Sequence, residues 1–234
     1  MATIQENVAS VRARMEAAAR GAGREPGDVL LCAATKTNDA DAVKAAVAAG
    51  VDCCGENRVQ ELTAKQPLGA YEGRPVHFIG RLQTNKVKFV VGAVSLIQSV
   101  DRDELLACVQ KEAAKKGVVQ DVLLEINVGG EESKAGYTPD AARQTAANMA
   151  AFPNVRLRGL MAIPPVSEFP GENRRYFAEM RNLFVDIKAK KYDNVSMECL
   201  SMGMSEDFED AIREGSTMIR VGTAIFGPRH YPTK

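Results

Sequence analysis

Short apolar runs bounded by polar turns recur along this chain, and most are followed by a stretch whose apolar residues return every three or four positions. VLLCAATK at 29–36, VDCC at 51–54, PVHFIG at 75–80, GAVSLIQSV at 92–100, VLLEINV at 122–128, RLRGLMAIPP at 156–165, VSMECLSMGM at 195–204 and STMIRVG at 216–222 read as strands. Ahead of them, Ile4, Val8, Val11, Met15 and Ala19 repeat at helical spacing before Gly21, giving an amphipathic opening helix. Between strands, Val43, Ala46 and Val47 mark one helix and Phe177, Met180, Leu183, Phe184 and Ile187 another; RLQTNKVKFV at 81–90 is a further helix candidate. Thr138 before Pro139 and Ser205 before EDFEDAIREG are N-cap candidates, and Asp101 with Glu104 has capping-box spacing. Eight strands alternating with helices predict a single (β/α)8, TIM-like barrel of the α/β class with an extra N-terminal helix. PRHYPTK at 228–234 reads as a frayed tail.

Composition narrows this picture. The 234 residues suffice for one core, and no linker divides them, so one domain over 1–234 is expected. Thirty basic and thirty acidic side chains balance, which gives nucleic acid little support from composition; no run is long and apolar enough for a bilayer, and the N-terminus does not read as a signal peptide. The expected location is the cytoplasm. Five cysteines lack metal-ligand spacing, and the adjacent Cys53 and Cys54 point to opposite faces of a strand. With only His77 and His230 in the chain, no metal site is expected.

Candidate chemistry gathers at strand ends. Lys36 follows a buried strand, where a desolvated amine is a plausible covalent partner for an aldehyde or carbonyl; the plain alternative is a lysine snorkelling into water. Glu56, Asn57 and Arg58 read as a loop on the same rim, with Asn57 as a helix cap in the simpler reading. Glu131, Glu132 and Lys134 are either functional or an ordinary solvated loop. The exits of strands seven and eight, SMGMS at 201–205 and VGTAIFG at 221–227, lie where barrels hold ligand phosphates. Ser201, Ser205 and Thr223 add hydroxyls there, and Gly203 and Gly222 permit close backbone approach. Arg220, if it faces inward, could meet a ring nitrogen or an anionic group. Lys36, Arg220 and a phosphate rim together suggest pyridoxal 5'-phosphate as cofactor.

ATKT around Lys36, GENRVQE at 55–61, HFIGRLQTNK at 77–86, INVGGEESKAG at 126–136, GLMAIPP at 159–165 and LSMGMSEDFEDAIREGSTMIRVGTAIFG at 200–227 span nearly the whole chain in order. With them the chain strongly resembles the YggS/PROSC family of pyridoxal phosphate-binding, or homeostasis, proteins. The resemblance implies a barrel like the alanine racemase N-terminal domain, with Lys36 as the Schiff-base lysine. It further implies Arg220 near the pyridine nitrogen, Ser201 and the Gly222–Thr223 backbone near phosphate, Asn57 near the cofactor, and Met202, Gly203 and His77 as further contacts. Cys54, Val76 and Thr35 depart from the residues common in that family at those places. The function implied is reversible cofactor binding in cofactor and amino-acid homeostasis, by a monomer with apo-enzyme acceptors and no established turnover. An amino-acid racemase or other pyridoxal phosphate enzyme is the first alternative. Related racemases use a tyrosine as second base, and none of Tyr71, Tyr137, Tyr176, Tyr192 or Tyr231 matches its motif. A cofactor-responsive interaction protein is the second alternative.

Overall fold

A computed structural model describes residues 2–131, 134–166 and 169–228. Glu132, His230, Tyr231 and the tail at 229–234 lie outside the described residues. In chain order the elements are α1 (Ile4–Gly21), β1 (Leu30–Ala34), α2 (Ala40–Ala48), β2 (Cys53–Glu56), α3 (Val59–Lys65), β3 (Val76–Phe78), α4 (Val87–Val90), β4 (Leu96–Val100), α5 (Asp103–Lys116), β5 (Gln120–Ile126), α6 (Pro139–Ala147), β6 (Val155–Ala162), α7 (Arg174–Lys190), β7 (Val195–Ser201), α8 (Phe208–Arg213), β8 (Met218–Val221) and α9 (Thr223–Phe226). The strands pair in parallel and in sequence order, and β8 pairs with β1 to close the barrel.

Strand alternation sorts the side chains into two layers. Leu31, Ala33, Cys54, Val122, Leu124, Leu160, Ile219 and Val221 point outward and join the helices in the main core. Cys32, Cys53 and Met218 form a separate cluster in the lumen, and Leu96, Leu123 and Met161 form another. The outer layer is branched and aliphatic; the lumen is rich in sulfur and polar groups. Alternation therefore settles Arg220: it shares the inner face of β8 with Met218.

The opening helix is held at both ends. Thr3 and Glu6 make a reciprocal capping box, with Thr3 N–H donating to Glu6 Oε2 at 2.7 Å and Glu6 N–H to Thr3 Oγ1 at 3.2 Å. Its buried face, Val8, Val11, Met15, Ala18 and Ala19, packs toward α8, α9 and α2. Asn7 Nδ2 donates to the carbonyl of Ile225 at 2.8 Å, which ties α1 to the short turn after β8.

Several local expectations change. The helix at 81–90 shrinks to the single turn α4, preceded by a 3-10 turn over Thr84–Lys86. Gly55 and Glu56 belong to β2 and not to a loop. Asn57 caps nothing, because α3 begins two residues later after Arg58. Asp101 makes no capping box; its carboxylate takes the Arg102 guanidinium, and α5 starts at Asp103. Ser205 does not cap α8, since Asp207 intervenes and folds its own Oδ1 back onto Met204 N–H at 2.8 Å. Thr138 does cap α6, accepting from Ala141 N–H at 3.2 Å.

Candidate functional site

The C-terminal ends of the strands surround a cavity of about 810 Å³, within the range usual for small-molecule sites. Lys36, Asn57, Ser205, Arg220, Gly222 and Thr223 all line it. Its mouth carries the exposed apolar side chains Val166 and Phe169.

Lys36 leaves the end of β1 on a clamped backbone. Thr35, fully buried, donates its hydroxyl to Glu56 Oε1 at 2.6 Å and to the Gly55 carbonyl at 3.1 Å. Glu56 Oε1 also accepts from Lys65 Nζ at 2.9 Å and from the Tyr71 hydroxyl at 3.1 Å, while Lys65 donates to the Thr35 carbonyl at 2.8 Å. This buried ion pair lies on the outer side of β2, under α3, and fixes the residue before Lys36. On the other side, Thr37 adopts a positive φ of 63°, and its hydroxyl and the Asn38 amide both donate to the Lys36 carbonyl. From this fixed backbone the Lys36 side chain lines the cavity.

Asn57 is seated by a neighbouring glycine. A Cβ on Gly80 would fall 2.2 Å from the Asn57 carbonyl oxygen, so only glycine lets the β3 exit lie against this residue. The Asn57 Oδ1 atom is buried without a hydrogen-bond partner among the described residues. An orphaned buried acceptor lining a cavity asks for a ligand donor.

Arg220 crosses the lumen beneath these rim residues. Its Nη1 donates to the Ser201 hydroxyl at 2.6 Å and the Ser201 carbonyl at 2.8 Å, and Nη2 donates to the Ala162 carbonyl at 2.9 Å. These acceptors are neutral, so the guanidinium is oriented without being neutralised. Burial lowers its pKa from the usual value, opposed by Cys32 and Glu125; an arginine starts so high that it keeps its charge. Glu125 points into the same upper lumen two residues after Leu123. Burial, with Asp101 adding to it, raises its carboxyl to about 7 against the pull of Arg220 and Arg81.

The last two strand exits divide the expected phosphate residues. Gly222 and Thr223 line the cavity at the start of α9, and Ser205 faces them, its hydroxyl accepting from Ala224 N–H at 3.3 Å. Ser201, by contrast, is fully buried at the end of β7, where its hydroxyl donates to Gln98 Oε1 at 2.7 Å and receives Arg220. It orients the arginine and does not line the cavity. Met202 points outward into the main core. Gly203 is a turn residue with φ 94°, where a Cβ would come within 2.6 Å of Ala211 Cβ. Its carbonyl accepts from Arg220 N–H at 3.0 Å.

His77 also departs from expectation. Near the start of β3, it lies toward the opposite end of the lumen, where Nδ1 accepts from Gln98 Nε2 at 2.9 Å and lies 3.6 Å from Cys53 Sγ. It lines a second cavity at the N-terminal ends of the strands and not the first. Cys32 lies beside Cys53 and His77 within the strands, outside that cavity's lining. The hydrogen bond from Cys53 lowers the Cys32 thiol to about 6 despite burial, with His77 and Arg220 assisting. Sequence spacing missed this grouping because each member comes from a different strand.

The chain matches the family described as alanine racemase, N-terminal domain, over residues 1–230. A relative from Aquifex aeolicus (strain VF5), called pyridoxal phosphate homeostasis protein, is 44% identical over 226 residues, covering 97% of this chain and 98% of its own. The structure of PipY from Synechococcus elongatus PCC7942 with PLP bound superimposes at a TM-score of 0.82 and 32% identity, covering 96% of this chain and 100% of that one. An alanine racemase of Clostridium difficile 630 shares the fold alone, at a TM-score of 0.70 and 15% identity, over 95% of this chain and 57% of that one.

Proposed function

The chain belongs to the alanine racemase N-terminal domain family, and from that premise we propose that it holds and releases pyridoxal phosphate as a homeostasis protein. The carrying observation is the convergence of Lys36, Asn57, Arg220 and the Ser205 and Thr223 hydroxyls on one cavity. When bound, pyridoxal phosphate supplies an aldehyde that a lysine amine can attack reversibly. Lys36 is the covalent partner on this reading, presented from a backbone held by Thr35 and Asn38. Arg220 meets the ring nitrogen as a charged donor that Ser201 and the Ala162 carbonyl keep in place. Asn57 offers its orphaned Oδ1 to a hydroxyl of the ring. Ser205, Thr223 and the Gly222 backbone take the phosphate, so Ser205 replaces Ser201 in that role.

Holding is favoured over turnover at the α-carbon because, among the described residues, no tyrosine lines the cavity. Racemisation needs a proton donor on each face of the substrate. Tyr71 is bound to Glu56 behind β2, Tyr137 donates to Asp103 at 2.9 Å, and Tyr176 meets the guanidinium of Arg175. The protein acts on this reading as a cytoplasmic monomer delivering the cofactor to apo-enzyme acceptors.

Purified protein saturated with pyridoxal phosphate should show a visible absorption band that borohydride removes, with the adduct mapping to the Lys36 peptide. An adduct on any other lysine, or none, overturns the assignment.

A further inference from the structure

Below the cavity the lumen holds a second set of reactive side chains that the proposed function does not use. Cys32 on β1 faces Cys53 on β2 in parallel register, and His77 follows on β3. One donor atom from each, Sγ, Sγ and a ring nitrogen, lie within 4.8 Å of one another, and all three residues are buried. Two donors sharing a tetrahedral zinc at 2.3 Å and 2.0–2.1 Å stand roughly 3.5–3.8 Å apart. The 3.6 Å between Cys53 Sγ and His77 Nδ1 already meets that spacing, and the widest pair needs a shift of only about 1 Å to reach it.

The surroundings suit a soft ion. Met218 packs against both cysteines and adds a thioether. No carboxylate belongs to the trio, which disfavours calcium and magnesium. The second cavity, about 620 Å³, reaches the trio at His77, with Met218 also in its lining. The strand ladder holds the donors in place.

We propose that Cys32, Cys53 and His77 form a binding site for a thiophilic d10 cation, Zn²⁺ or Cu⁺, with the Met218 thioether beside the fourth position. Both cysteines bind as thiolates, whose two charges balance a zinc ion; His77 contributes the Nδ1 lone pair now taken by the Gln98 amide. The amide must turn aside for the ion to enter. Gln98→Leu therefore strengthens binding where Cys32→Ser and Cys53→Ser weaken it.

The test uses the tag-free full chain, reduced with a phosphine under anaerobic conditions. Zn²⁺ is measured by competition with a chromophoric chelator, Cu⁺ by competition with a cuprous chelator, and Co²⁺ by its thiolate charge-transfer absorption. The expected result is one tightly held equivalent and a loss of at least about 100-fold in affinity for C32S and C53S. C108S, altered on α5, binds as the parent does. A Met218→Leu change that weakens only copper identifies Cu⁺ as the preferred ion, and one that leaves both unchanged identifies Zn²⁺. Because serine variants can fold poorly, the parent alone is also alkylated with and without metal, and bound ion protects Cys32 and Cys53 but not Cys108. Failure to hold either ion, equal affinity in C32S, C53S and parent, or absence of that protection overturns the proposal.

Discussion

The two ends of the barrel lumen carry chemistry in different ways. At the C-terminal end, Lys36, Asn57, Ser205 and Thr223 stand just past their strands, each fixed by local contacts such as the Thr35 clamp or the close approach of Gly80. At the N-terminal end, Cys32, Cys53 and His77 stand within strands and are positioned by ladder register, with the Gln98 amide also on His77. The upper site is therefore written as contiguous strings, GEN and SMGMS, and can be altered loop by loop. The floor is written one residue per strand, with 24 positions separating Cys53 from His77. A change there is tolerated only if it respects packing on both neighbouring strands.

Substitutions can break that contrast, and the largest effect is expected at Lys36. Lys36→Ala should abolish the visible band and the borohydride adduct while leaving Zn²⁺ affinity at the floor unchanged; loss of both would mean the ends are not separable. Next, Glu56→Ala removes the carboxylate under Thr35 and leaves Lys65 buried without it, at a cost of about 3–5 kcal/mol in denaturant unfolding. Adding Lys65→Met should restore part of that loss.

Acidity separates the ends more gently. Glu125 holds its proton more tightly folded, near pH 7, than unfolded. Its contribution to stability is thus full at acidic pH and is lost as pH rises from about 4.5 through about 7. Glu125→Gln should flatten the stability profile across that window and raise stability at pH 8 by on the order of 2 kcal/mol, the half-buried position reducing the full shift. The smallest effect distinguishes the two serines. Ser205→Ala should weaken cofactor retention by at least about 10-fold, the worth of one hydrogen bond to a charged group. Ser201→Ala should instead move the absorption band with little change in retention, because it frees Arg220.

Much of the fold was legible because each strand is a short apolar run and each long helix has a 3.6-residue stripe. That Asp101 makes no capping box was not legible, since spacing does not tell whether a carboxylate will turn to a neighbouring guanidinium, here Arg102. Glu56 looked like a rim residue, yet alternation held the signal: Cys53 and Gly55 face the lumen, so Cys54 and Glu56 face outward, and in a barrel outward means under helices. Ser201 and Ser205 were indistinguishable as hydroxyls on one string. The strand end falls between them, and only the last residue on the inner face reaches Arg220. The floor was invisible for a different reason: closing the barrel brings residues together that no local pattern relates.

Gln98 gives the separation of the two ends a limit. Its single amide accepts from Ser201 with Oε1 while Nε2 donates to His77 at 2.9 Å and lies 3.2 Å from the Met218 sulfur. The two halves of one planar group cannot rotate independently. An occupant of the floor that claims His77 must draw Oε1 away from Ser201 and so loosen the guanidinium it steadies. Thermodynamic reciprocity then fixes the return effect: whatever factor metal imposes on cofactor affinity, cofactor imposes on metal.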